Sequence, residues 1–245
     1  MQKYILLITL LLSISFCFCQ AKGKAYYAKK INAEFEKRLD SLSNEPGNPL
    51  KSLDKSTQDL EFILTFNQEI AIYKETEKMT SDNSKTSNKL AKILSGYSGP
   101  SYFDFKNKKI IFTKDVFNEL YLVNKEISSL EWVLTKEKLV INNLNCYKAM
   151  TSVITEGSSG IKEVPIIAWY TTDVNVSAGP DGFGGLPGLI IQLEKGNFIT
   201  VLTKIEISDK NNKLELPKEG KNISEDDFNE LVKEMVVNRR KYNKG

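Results

Sequence analysis

The sequence contains no histidine. That excludes a Ser/His/Asp or Cys/His nucleophilic centre and the usual zinc ligand sets. Asp and Glu are scattered, and no spacing selects a catalytic pair, so an enzyme is the least supported reading. Cysteine is almost as scarce: Cys17, Cys19 and Cys146. The first two lie in or beside an N-terminal apolar run. If that run is removed, Cys146 has no internal disulfide partner. It reads as a small buried core residue, free cysteine being among the most buried residue types. A reactive or metal-binding thiol is the alternative. Cys146 and Met150 share a strand face, but two ligands leave a soft-metal site incomplete. No metal or cofactor is expected. The glycines around Gly182, Gly184 and Gly185 lack the lysine of a P-loop and the spacing of a dinucleotide fingerprint.

One-sided charge is also missing. The chain has 34 basic and 31 acidic residues, mixed along its length as on a solvated face. A dedicated nucleic-acid surface is therefore not expected. Beyond the N-terminus no run reaches 18 apolar residues, so no membrane-spanning segment is expected.

Residues 1–19 read as a secretory leader, with Lys3 ahead of the apolar stretch Ile5–Phe18. Lipidation at Cys17 or Cys19 is the competing reading. Phe16 or Phe18 would then precede the cysteine, where a small residue is expected, which argues for plain secretion. Residues 20–245 read as one domain.

Gly23–Ile31 reads as a first strand. Residues 33–58 look like a polar insertion with short helices. In Leu60–Phe66 apolar and polar residues alternate with period two, the pattern of a half-buried strand. Asn67-Gln68 marks a hairpin into Glu69–Tyr73. Residues 76–100 read as a loop with a helical turn near Leu90–Leu94. Short strands follow: Ile110–Phe112, Glu119–Val123, Leu130–Leu134, Leu139–Ile141 and Cys146–Ile154. Lys195-Gly196-Asn197 is a hairpin turn between Leu189–Leu193 and Phe198–Ile207. Serial strands without intervening helices predict antiparallel pairing. At the end, Ser224 caps a helix with Asp226 and Asp227 in its first turn. The expected fold is mainly β (α+β): a large curved antiparallel sheet, a half-barrel at its most closed, with a C-terminal helix.

The most specific stretch is Ile166–Glu194. Val164–Tyr170 is β-branched and aromatic. Gly179-Pro180 and the glycine cluster make a constrained corner. Pro187 cannot donate to a ladder and belongs at a strand start or edge. The hexamer Gly185-Leu186-Pro187-Gly188-Leu189-Ile190 resembles the signature of the GLPGLI family of secreted Gram-negative proteins. Ala168-Trp169-Tyr170-Thr171, Gly179-Pro180, Trp132, Cys146-Tyr147-Lys148-Ala149 and Tyr26-Tyr27 resemble its other elements. Val174-Asn175 stands where relatives often have Ile-Pro. The family has no assigned activity. Its motif positions are expected to be structural: Trp132, Cys146, Lys148, Ala149, Trp169, Tyr170, Gly179, Pro180, Gly185, Leu186, Pro187, Gly188, Leu189 and Ile190.

These readings point to an exported protein, periplasmic or associated with the outer membrane. A curved sheet must cover its concave face. The leading expectation is therefore a binding or carrier protein for an apolar ligand, which a sizeable apolar cavity under the sheet would favour. The alternative is an accessory partner of outer-membrane receptors or secretion machinery, which an exposed apolar patch at an edge would favour.

Overall fold

The computed structural model describes residues 21–42, 53–76, 89–116, 118–157, 160–208 and 213–242. The expected leader, part of the expected insertion (43–52) and the Ser/Thr-rich residues 77–88 lie outside these.

Period-two burial makes the strands. In β1 (Gly23–Ile31) the residues Ala25, Tyr27, Lys29 and Ile31 are buried and their neighbours are not. In β2 (Glu61–Phe66) the buried set is Phe62, Leu64 and Phe66, and in β3 (Ile70–Glu75) it is Ala71 and Tyr73. The remaining strands are β4 (Ser101–Asp104), β5 (Lys109–Val116), β6 (Glu119–Glu126), β7 (Val133–Ile141), β8 (Leu144–Gly157), β9 (Gly160–Thr171), β10 (Leu189–Lys195), β11 (Phe198–Ile207) and β12 (Lys221–Ser224). Among the described residues all twelve join one open, curved sheet in the order β12-β6-β5-β4-β3-β2-β1-β11-β10-β9-β8-β7.

The first strand is thus central. The chain meanders outward from it through β6, crosses to the far edge at β7, and returns strand by strand until β11 pairs with β1. Three short helices accompany the sheet: α1 (Ala33–Leu42), α2 (Leu53–Gln58) and a turn or two over residues 89–94. The C-terminal helix α3 (Glu225–Tyr242) begins as expected, with Ser224 Oγ accepting the Asp227 N–H at 3.1 Å. Phe228 of that helix meets the Tyr121 ring edge-on at 5.7 Å.

One expectation needs correction. Leu130–Leu134 and Leu139–Ile141 are not separate strands: β7 is continuous from Val133 to Ile141. Its register against β8 slips between Leu134 and Lys138. A bulge absorbs the extra residues, and Thr135 anchors it by donating to the Lys148 carbonyl at 3.1 Å. The sheet is mainly antiparallel as expected, and among the described residues only the edge strand β12 runs parallel to its neighbour, β6. Lys-Asn-Ile-Ser has little strand propensity of its own, so that edge exists through pairing.

Candidate functional site

Residues 172–188 leave the end of β9, cross over buried parts of the sheet and re-enter it at β10. Val174, Val176 and Ala178 join the main core beside Phe62, Phe103 and Tyr73. Phe183 and Leu186 join a second cluster with Ala149, Ile166, Ala168, Tyr170, Ile190 and Leu193, which Trp132 packs against. A buried loop must satisfy its own backbone. Here Leu189 N–H donates to the Val174 carbonyl at 3.2 Å and Ile190 N–H to that of Ala178 at 3.1 Å. Trp132 Nε1 reaches over to the Gly184 carbonyl at 2.9 Å, and the Tyr27 hydroxyl donates to the Ile190 carbonyl at 2.8 Å.

The motif residues fall into place around this loop. Gly188 has φ 154° and lies so close to β9 that a Cβ would come within 1.9 Å of the Thr171 carbonyl oxygen. Gly185 has φ 86°, with the Ile127 carbonyl oxygen 2.8 Å from its would-be Cβ. Gly179 is extended but is pressed against Ile190. Pro180 is buried in a single 3-10 turn, and Pro187 precedes β10. Leu189 and Ile190 are fully buried, on opposite clusters. Trp169 pairs with Gln192 across β9 and β10, and Tyr170 with Ile190.

Lys148 lies outside the loop, paired with Glu137 at 2.9 Å, and Ala149 packs in the second cluster. Cys146 is buried in the main core, and burial pushes its thiol pKa up. Met150, by contrast, is exposed. Four strand steps separate the two by about 13 Å, too far to share one ion. Cys146 is therefore expected to resist thiol reagents in the native protein and to react within the mixing time once denatured. Labelling at equal rates in both states would place the thiol on an accessible surface.

The sequence reading did not pick out the charged centre of this site. Lys29 of β1 is 1% exposed and holds the Asp181 carboxylate at 2.8 Å. It also donates to the Ser95 carbonyl at 3.3 Å, and its ammonium sits 5.2 Å from the centre of the Phe62 ring. Asp181 sits at φ 54°, a left-handed conformation that Asp tolerates better than most residues. Three buried polar atoms of this region have no partner among the described residues: Asp181 Oδ1, Tyr73 Oη and Ser101 Oγ. Burial, reinforced by the Asp181 charge, holds the Tyr73 phenol well above its ordinary pKa, and burial pushes that of Tyr97 up to about 12. Both phenols stay neutral at any physiological pH. A signal for Lys29 existed: it shares the parity of Ala25, Tyr27 and Ile31.

The loop's buried side chains cover part of the sheet. A pocket of about 380 Å³ remains at the Gly185 end, walled by Phe105, Ile127 and Val176 and rimmed by Asn67, Gln68 and Asn175. At the β7 edge of the sheet, apolar side chains lie open. Val133, Leu134, Leu139 and Val140 of β7 are 66, 55, 48 and 64% exposed, and Ile154 and Ile161 of β8 and β9 are 69 and 72% exposed. None of the described helices is long and apolar enough to cross a membrane.

A family model described as a protein of unknown function (Porph_ging) matches residues 155–192, the stretch that contains β9, the buried loop and the start of β10. No curated protein matches the chain. Among solved structures, those of PNGF-II in the P21 and C2 space groups are similar, each with a TM-score of 0.52 and 15% identity over 86% of this chain. The chain spans about a third of the length of PNGF-II (33% and 32% in the two structures), and at this identity the likeness is one of fold.

Proposed function

We propose that this chain is an exported, GLPGLI-type binding module that engages another protein, and that its β7–β9 arm is the docking surface. The carrying observation is the edge strand β7, whose outer side has no strand partner among the described residues and whose large apolar side chains are exposed. An unpaired edge offers a row of backbone donors and acceptors to an incoming strand. Exposed apolar side chains grouped there, rather than scattered singly, are a mark of an interaction surface. The Thr135–Glu137 bulge and Lys136 and Lys138 limit indiscriminate edge-to-edge pairing.

The apolar-carrier reading has less support. Val174, Val176, Ala178, Phe183 and Leu186 occupy much of the space that a long apolar ligand would need. The pocket of about 380 Å³ at Gly185 lies toward the small end of small-molecule sites. Catalysis plays no part in this reading.

The test is a photo-crosslinking residue placed at Leu134 or Val140 in cells that export the protein. Both positions should give a discrete adduct of one mass, and Lys204, on β11, should give none. Folded protein that yields no adduct from either β7 position would sink the docking reading.

A further inference from the structure

A second pocket, of about 580 Å³, opens where β5, β6 and β8 face the Asp181–Phe183 turn and helix α3. Its lining includes Lys114, Lys125, Lys195, Asp181, Phe183 and Phe228. Lys125 is neutralised by Glu225 at 2.9 Å, and Asp181 by Lys29 at 2.8 Å. Lys114 and Lys195 have no carboxylate partner among the described residues. Lys114 donates only to the Ser98 carbonyl at 3.2 Å, and its ammonium lies 5.8 Å from the Phe112 ring centre. Lys195, the last residue of β10, rests its ammonium 5.6 Å from the centre of the Phe183 ring. Counting Lys29, four ammonium groups meet two carboxylates, a net excess of two positive charges, with Glu225 and Asp181 acting on Lys114 and Lys195 only from beyond ion-pair distance.

Two further observations fit an occupant. Asp181 lines this pocket with its carboxylate 6% exposed, and its Oδ1 has no donor. Burial lowers the pKa of both Lys114 and Lys195, and in Lys114 the charge of Lys195 adds to the lowering. Like charges held together and partly out of water are relieved by an anion set between them. The aromatic walls, Phe183 and Phe228, suit a flat apolar body.

We propose that this pocket binds a small aromatic acid. Its carboxylate or phosphate lies between Lys114 and Lys195, and its ring lies against Phe183 and Phe228. Its β8 wall includes Ile154, which also belongs to the exposed apolar arm.

The probes are 4-hydroxybenzoate, phenyl phosphate, neutral 4-hydroxybenzyl alcohol and inorganic phosphate, titrated calorimetrically into the full chain at low ionic strength, where screening is least. Saturable binding is expected for the two aromatic acids and not for the alcohol. Lys195→Met and Lys114→Met keep the apolar stem, and each should weaken binding at least about tenfold with little change in melting temperature. Lys204→Met, which removes a positive charge elsewhere, should leave binding intact. Should either pocket variant fail to fold, the wild-type series still decides. No saturation by either acid, equal binding of the alcohol, or inorganic phosphate binding as tightly as phenyl phosphate would each overturn the proposal.

Discussion

Gly188→Ala should cost about 4 kcal/mol or more, enough to unfold a protein of ordinary stability. Two effects act together there. At φ 154° an L side chain is strained whatever the space around it. The space is also missing: the added Cβ would lie 1.9 Å from the Thr171 carbonyl oxygen and 2.7 Å from its carbon. Those atoms are backbone of β9, held by the ladder that pairs Thr171 with Leu189. They cannot rotate away as a side chain would. Gly160 separates strain from collision. It too has a positive φ, 98°, but its would-be Cβ meets nothing within 4 Å. Gly160→Ala should therefore cost only about 1 kcal/mol. Urea unfolding of the two variants makes the comparison. If they lose the same stability, the close approach of the corner to β9 is not what the glycine serves.

The next largest effect is expected at the buried ion pair. Asp181→Asn leaves the Lys29 ammonium buried with no counter-charge, and should cost about 3–5 kcal/mol. Asn is the fitting substitute because it tolerates the left-handed conformation at this position. Lys29→Met with Asp181→Asn should recover most of that loss, since Met keeps the apolar stem against Phe62 and nothing charged remains to desolvate. The double-mutant cycle should show a coupling of about 2 kcal/mol or more. Additive losses would mean that the 2.8 Å contact contributes no more than an exposed pair.

The pair matters beyond its own energy. It ties the central strand β1 to the turn Pro180–Gly182, residues 152 positions apart in sequence. The same turn walls the lysine-lined pocket. A variant that loosens the pair should therefore disturb that pocket as well as stability. The methionine variants at Lys114 and Lys195 leave the pair alone.

Local chemistry made the strands, the Lys195–Asn197 turn and the Ser224 cap legible in the sequence. Alternation of apolar and polar residues with period two is a property of neighbours along the chain, and so are turn and cap residues. The glycines and prolines of the corner were legible for the same reason, because a positive φ or a missing donor belongs to the residue itself. Tertiary structure alone decided the rest. Which strands are neighbours depends on pairings between distant segments, as when β11 returns to β1 and β12 finds β6. Val133-Leu134 and Leu139-Val140 read as ordinary strand core, and only their place at the sheet edge leaves them open. A lysine reads as a surface residue until a fold buries it. Lys29, Lys114 and Lys195 acquired their meaning from Asp181, from one another and from Phe112 and Phe183, none of them adjacent to these lysines in the chain.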